Sequence, residues 1–446
     1  MNQNNKSIEP SSFKDSAGFV YYQNGKVYRD VLNSFLLNYN AVKSKGIYNS
    51  LIENKFLFPF KELNENGNIR LESEKIALIT YPYEWGFQQM KEGAIFQLEL
   101  IEKCLNQGAM LKDASPFNIQ FINGNPIFID VLSIDEYVSD KPWQAYKQFC
   151  EMFLAPLLLS AYFPENWNKE LQINLEGISL KKTAALLPLK ARLSSLALIH
   201  IIWHSKFQMK GKGSGEVKMP KQKVLSILSH LKMGIKELKK YSPSKQWTNY
   251  QQQLPYTTDQ FQLKSDTVKQ WINKSYYKLV LDIGANHSLF VNHLQYRADD
   301  ILVIDNDDAV VDSLFKEKKE RVSALHVDIS LPSPALGLLL NERKSFTERV
   351  RPDLTLALAV IHHLFHSRNI PMNRLAELFA EYSKELIIEF VSENDEQFQL
   401  IKNVNNKHPY NKNLFEEEFE KYFSIDKVVE VKSGKRFLYH MFTKTQ

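Results

Sequence analysis

From Leu279 onward, short continuous apolar runs alternate with longer amphipathic stretches. The runs LVLDI, ILVID, SALHVD, DLTLALAV and ELIIEFV are centred near residues 281, 303, 326, 356 and 387. Each is apolar at both alternate positions, as a strand covered on both faces must be. The intervals leave room for a helix after every strand, so the pattern predicts consecutive βα units around a parallel sheet with helices on both faces. SIDKVVEV and KRFLYHMFTK follow, with Ser433-Gly434 between them. They predict a closing hairpin with an antiparallel edge, which brings the sheet to seven strands.

The first half has a different rhythm. GFVYYQNGKVYRDV sets aromatic and β-branched residues around Asn24-Gly25, a pair suited to a type I′ turn, and predicts a hairpin. Asn33 to Phe56 is expected to be helical, and IALITYPYEW (Ile76 to Trp85) to be a buried strand. In residues 87–107, Phe87, Met90, Ala94, Leu98, Ile101 and Leu105 recur at helical steps, and Gly108 stands where a cap belongs. LKDASPFNIQFINGNPIFIDVLS predicts loop, strand, Asn-Gly turn and strand. Lys141 to His204 is apolar and helical, and another helix is expected from Val224 to Tyr241. The polar, proline-containing SPSKQWTNYQQQLPY marks the boundary. We therefore expect an α+β domain over residues 1–250, a linker over 251–262, and an α/β domain with a Rossmann-like sheet over 263–446.

Composition narrows the class. A chain of 446 residues exceeds one ordinary core, and 44% hydrophobic with 24% charged residues is a globular balance. The net charge of +5 is concentrated in residues 206–223, which carry six lysines and one glutamate, so no broad nucleic-acid footprint is expected. The most apolar stretch, Phe153 to Phe163, is too short for a membrane span, and the polar N-terminus shows no secretory signal. Cys104 and Cys150 have no metal or disulfide spacing, which suits a reducing, cytoplasmic setting. His200 and His204 are spaced four apart, yet no further ligand lies near them, and no metal site is expected.

Candidate chemistry gathers at the strand ends of the second half. An open parallel sheet binds its ligand beyond the carboxyl ends of its strands. Strand one ends in Asp282-Ile-Gly284-Ala-Asn286-His-Ser288, where Gly284 lets backbone approach a ligand and Asp282 can hold a polar group. Strand two ends at Asp305, placed to accept ribose hydroxyls, and strand three at Asp328-Ile329, placed for adenine. The loop after strand four holds His362 and His363, either of which can take a proton from a nucleophile or shape the pocket. Glu389, ending strand five, can reach the substrate side or cap its loop. A nicotinamide dinucleotide would need a G-x-G-x-x-G loop, and only Gly284 is present. No Asn/Asp-Pro-Pro-Tyr/Phe motif occurs, so amide or base N-methylation finds no support.

With DIGANHS, VIDND, HVDI and DLTLALAVIHHL in order, residues from about 260 to 446 resemble a class I S-adenosylmethionine (SAM)-dependent methyltransferase. More narrowly, LITYPYEWGF, LKDASPFNIQF, FIDVLSI and ALAVIHHL resemble a bacterial methyltransferase group related to the nodulation protein NoeA, over nearly the full length. The resemblance implies a SAM-binding fold and methyl transfer to an acceptor it does not identify, with a hydroxylated metabolite or glycan as the candidate. It also implies an N-terminal domain of kinase-like pattern. Asp113, Asn118 and Asp130 stand at the intervals of a kinase catalytic loop and metal-binding Asp, which would bring in ATP and magnesium. Against live phosphotransfer, Leu111-Lys112 and Val131-Leu132 replace the expected flanking residues, and no glycine-rich phosphate loop precedes them. Two further functional classes follow, a bifunctional kinase–methyltransferase and a non-catalytic scaffold.

Overall fold

The computed structural model describes residues 6–65, 68–209, 218–241, 256–286, 288–401 and 406–444. It divides into two units, Met1–Pro243 with Ala335–Lys344, and Ser244–Pro334 with Ser345–Gln446. The basic loop centre (210–217) and the first part of the expected linker (251–255) lie outside the described residues.

In the first unit, β1 (Ser7–Ile8), β2 (Gly18–Gln23), β3 (Lys26–Val31), β4 (Lys61–Glu65) and β5 (Asn68–Glu74) form an antiparallel sheet in the order β1-β2-β3-β5-β4. Asn24 (φ 51°) and Gly25 (φ 76°) turn β2 into β3, as a type I′ hairpin requires. Between β3 and β4 the stretch expected to be helical holds two helices, Leu36–Ser44 and Ile47–Glu53, divided at Gly46 (φ 70°). The helix Phe87–Asn106 follows, ended by Gly108 (φ 83°). A short pair, β6 (Ala109–Leu111) with β9 (Ile134–Glu136), brackets the hairpin of β7 (Ile119–Ile122) and β8 (Asn125–Phe128).

Ile76–Trp85 is not the strand its composition predicts. Pro82 opens a 3-10 turn, Pro82–Glu84, and side chains satisfy the backbone in place of a neighbouring strand. Gln120 accepts from the Thr80 N–H (2.8 Å) and donates to the Thr80 carbonyl (3.1 Å), while Glu84 accepts from the Tyr81 N–H (3.1 Å). Burial without a ladder is possible because these polar groups are paired. Downstream, the apolar helical stretch contains two π-helical segments, Cys150–Leu154 and Leu198–Trp203. His200, in the second, lies 2.6 Å from the Tyr146 hydroxyl and 2.7 Å from His230. The last helix of this part is Lys221–Glu237.

In the second unit, β10 (Tyr277–Ile283), β11 (Ala298–Asp305), β12 (Val322–His326), β13 (Leu354–Ala357), β14 (Glu385–Val391), β15 (Phe423–Lys432) and β16 (Arg436–Thr443) form one sheet. Its order is β12-β11-β10-β13-β14-β16-β15, with β10 to β14 parallel and β16 antiparallel to both its neighbours. The strand order reverses at β10, so the switch point lies beyond β10 and β13.

Register decides which residues share a face. Asp282 pairs with Leu356, Leu356 with Ile387, and Ile387 with His440. With side chains alternating along each strand, Glu385 and Glu389 on β14, and Arg436 and Leu438 on β16, fall on the same face as Asp282. The helix Thr258–Ile272 covers this face, its start fixed by a capping box of Thr257 and Gln260. Trp271 stacks on His440 with ring centroids 5.3 Å apart.

Candidate functional site

The loop after β10 is stitched to the end of the next strand. Gly284 donates its N–H to the Ile304 carbonyl (2.9 Å), and Asn286 donates its N–H to a carboxylate oxygen of Asp305 (3.1 Å). Gly284 has φ 65°, and a Cβ there would stand 2.7 Å from Val360 Cγ2, so backbone from β10 closes against the residue preceding the helix after β13. Only glycine meets both demands. Asn286 (φ 44°) and Ser288 (φ 48°) also take the left-handed conformation, an uncommon concentration of backbone strain.

Asp282 is 5% exposed, and its carboxyl accepts no hydrogen bond among the described residues. Burial, then the nearby Asp305, pushes its pKa up to about 7, against an opposing pull from Lys264. Ser288 is also buried, and its hydroxyl has no partner among the described residues. Asp305 is committed to the loop, since it accepts from the Asp307 N–H (2.9 Å) as well as from Asn286. Burial raises its pKa as well. Asp328 accepts from the Ser330 N–H (2.9 Å) and hydroxyl (2.6 Å) and pairs with Arg368; Ile329 beside it is buried.

After β13, Ala359 (φ 58°) turns the chain into the helix Ile361–Ser367. His362 is 3% exposed and its Nδ1 has no partner among the described residues, whereas His363 is exposed, their rings 4.4 Å apart. Burial, with His363 and Arg436 adding like charge, holds the His362 imidazole well below its ordinary pKa and therefore neutral.

Sequence reasoning missed a charged network on the same sheet face. Glu389 is fully buried; Lys264 donates to it at 2.6 Å and the Tyr256 hydroxyl also donates to it. Lys264 and Arg436 Nη1 each donate to the Tyr256 oxygen at 2.9 Å. Arg436 forks onto Asp395 through Nε and Nη2, both at 2.8 Å. These cations hold Glu389 ionised, below the usual carboxylate range, despite its burial. Glu389 is thus a compensated internal anion. The signal was present: Lys264 lies on the apolar stripe of Phe261, Val268 and Trp271, and Arg436 alternates with buried Leu438 and His440.

In the first unit, Asp113, Asn118 and Asp130 come together. Asn118 Nδ2 donates to Asp113 at 3.1 Å and lies 3.5 Å from Asp130. Arg29 on β3 pairs with Asp130 and, at 3.5 Å, with Asp15. Burial and the neighbouring Asp130 raise the pKa of Asp113. Arg29 shares the face of Val27 and Val31, a position where alternation alone predicts an apolar residue. Among the described residues no group of three or more His, Cys, Asp or Glu side chains is arranged to hold a metal ion.

A parallel sheet with this strand order, one antiparallel strand next to its edge and a glycine turn after the first strand, has the Rossmann-like architecture of class I methyltransferases. The chain belongs to the family of the nodulation protein NoeA: it is 30% identical to that protein from Rhizobium meliloti (strain 1021) over 407 residues, 86% of this chain and 85% of the relative. No protein-family model matches the sequence. Among solved structures, N-methyltransferase NodS from Bradyrhizobium japonicum WM9 bound to S-adenosyl-L-homocysteine is similar over 42% of this chain and 90% of its own, at 12% identity and a TM-score of 0.31. Magnesium protoporphyrin IX methyltransferase from Synechocystis PCC 6803 with bound SAM covers 42% of this chain and 80% of its own, at 12% identity and a TM-score of 0.29.

Proposed function

We propose that the second unit is a SAM-dependent methyltransferase. The observation that carries this reading is the combination at the switch point: a glycine loop pinned to Asp305 and packed on Val360, beside a buried Asp282 with no hydrogen-bond partner among the described residues. A buried acid without a donor is costly unless a ligand supplies one, and the ammonium of an amino-acid moiety does so. Ser288 offers a second group unpartnered among the described residues, and Asp305, Asp328 and Ile329 stand at the following strand ends, where the ribose and base would lie. The residues present fit SAM on these grounds. When bound, SAM supplies a sulfonium-activated methyl group.

The chain's own part is to exclude water, align the acceptor and manage its proton. His362, kept neutral by burial, can accept a hydrogen bond from a hydroxyl and so orient it, which suits a hydroxylated metabolite or glycan as acceptor; exposed His363 lies beside it. Calorimetric titration of the purified protein with SAM tests this reading. Binding that is lost in Asp305→Ala, while the variant stays folded, is the expected result; unchanged behaviour of that variant together with no SAM binding by the wild type overturns it.

For the first unit we infer a kinase-like domain that aids recognition of the acceptor. Support comes from its sheet order with helices between the third and fourth strands, followed by the Asp113, Asn118 and Asp130 cluster. Arg29 already compensates Asp130, which favours a cluster balanced from within over one that awaits magnesium and ATP. A thermal shift with ATP that requires magnesium and disappears in Asp130→Ala would restore the bifunctional kinase–methyltransferase reading.

A further inference from the structure

Between β12 and β13 the chain contributes Ala335–Lys344 to the first unit. The segment is a small hairpin, closed at its base where Leu336 and Arg343 exchange backbone hydrogen bonds of 2.9 and 3.0 Å. Its tip is strained, with Gly337 (φ 81°), Leu339 (φ 55°) and Leu340 (φ 56°) all in the left-handed region. Leucine rarely takes that conformation, and it persists where the surrounding structure over-determines it. Glu342 is buried and pairs with Lys14 at 3.1 Å, which ties the hairpin down. Just after it comes Arg343.

The Arg343 guanidinium lies 4.3 Å from the centre of the Phe117 ring and 5.9 Å from that of Tyr81. Phe117 sits in the turn Pro116–Asn118, capped by Ser115, so this platform belongs to the loop that carries Asp113 and Asn118. The Lys344 N–H donates to the Tyr81 hydroxyl at 3.2 Å and fixes the chain beyond the arginine. Stacking sets the plane of a guanidinium but uses none of its five N–H donors. Among the described residues those donors are almost unspent. Nη1 reaches the Glu342 carbonyl at 3.5 Å, and Nε is buried without a partner. The adjacent carboxylates are already served: Lys14 takes Glu342, Arg29 takes Asp130, and Asp113 accepts from the Ser115 N–H (2.8 Å) and Asn118 (3.1 Å). Buried polar groups are normally paired, so a positioned cation with spare donors calls for an anion from outside the chain.

We propose that Arg343 reads an oxoanion, a carboxylate or a phosphate, carried by the acceptor. The terminal guanidinium nitrogens make the contact, Phe117 and Tyr81 hold the plane, and the strained hairpin sets the position. The inference is independent of SAM binding and rests on the recognition role inferred for the first unit.

The test is ligand-observed NMR titration of the full-length protein with D-glucuronate, inorganic phosphate and D-glucose. Wild type should bind at least one of the two oxoanions, and glucose about tenfold more weakly or worse. Arg343→Gln, which keeps part of the stem over Phe117, should weaken the oxoanion by about tenfold or more. Arg343→Lys, a cation without the fork, should weaken it by about threefold, and it carries the comparison if the Gln variant melts early. Tighter glucuronate marks a sugar acid as the source, and tighter phosphate marks a phosphate ester. Unchanged oxoanion binding in the folded variants, or none by the wild type, overturns the role of Arg343. Glucuronate and glucose that bind alike in all three proteins overturn that role and leave glycan recognition standing. Phosphate binding that depends on Arg343, with no affinity for either sugar, upholds the arginine and overturns the glycan reading.

Discussion

Asp282 carries the most consequence at the scale of single residues. Its folded pKa, about 7, lies above that of a free aspartate, so the folded state holds the proton more tightly than the unfolded chain. Stability should therefore fall as pH rises from about 4 towards 7, the loss being complete above that range. Asp282→Asn, without ligand, should melt a few degrees higher than wild type at pH 8, with the difference narrowing by pH 5; scanning calorimetry at the two pH values checks it. Ligand affinity should move the other way, weakening as pH drops through 7 because a protonated Asp282 cannot pair with an ammonium. In the first unit, Arg29→Ala leaves Asp130 uncompensated beside Asp113. We expect a loss of roughly 2 kcal/mol in urea denaturation, below the range for a fully buried pair because Arg29 and Asp130 retain some solvent contact. Replacing Asp130 as well, by Asn, should recover part of it. Both charges were hard to read in the sequence for one reason. A lysine or arginine at an apolar position looks like a surface residue until packing shows the anion it meets, as Lys264 and Glu389 do.

At the scale of elements, the β10 turn concentrates the structural demand. Gly284→Ala meets both a left-handed backbone and Val360 at 2.7 Å. It should cost about 1–3 kcal/mol and displace the loop from Asp305. Val360→Ala should relieve the steric part while leaving the backbone part, so the double variant should recover only partly in denaturant melts and in ligand affinity. Additivity of the two losses would contradict the contact. The strands of this unit were legible because a sheet covered on both faces leaves unbroken apolar runs, and the acids at their ends follow from that register. Ile76–Trp85 has a similar apolar composition and no strand partner. Its backbone is satisfied by Gln120, 40 residues away from Thr80 in sequence, and no local pattern announces such a pairing. The start of the Thr258–Ile272 helix was hidden in a polar stretch assigned to the linker, although Thr257 and Gln260 have the spacing of a capping box.

At the scale of the whole molecule, the relation to NoeA spans 86% of the chain, more than either unit contains, so the similarity reaches into both units. The segment Ala335–Lys344 belongs structurally to the first unit although it lies between β12 and β13 in sequence. There Arg343 lies over the Phe117 ring (4.3 Å), next to Asn118, and Glu342 pairs with Lys14 at 3.1 Å. That excursion was invisible in the sequence, where the interval between strands three and four is merely long. Charge is unevenly placed at this scale, because the excess of +5 equals the local excess of residues 206–223, which carry six lysines and one glutamate. The central claim is that the turn after β10, which Asp282 precedes and Asp305 pins, is a SAM site. Its most direct test is calorimetric titration of the intact protein with SAM at pH 8, beside Asp282→Asn. The account predicts one bound SAM per chain for the wild type and affinity weaker by about tenfold or more in the folded variant. A folded wild type that gives neither binding heat nor thermal shift with millimolar SAM would contradict it.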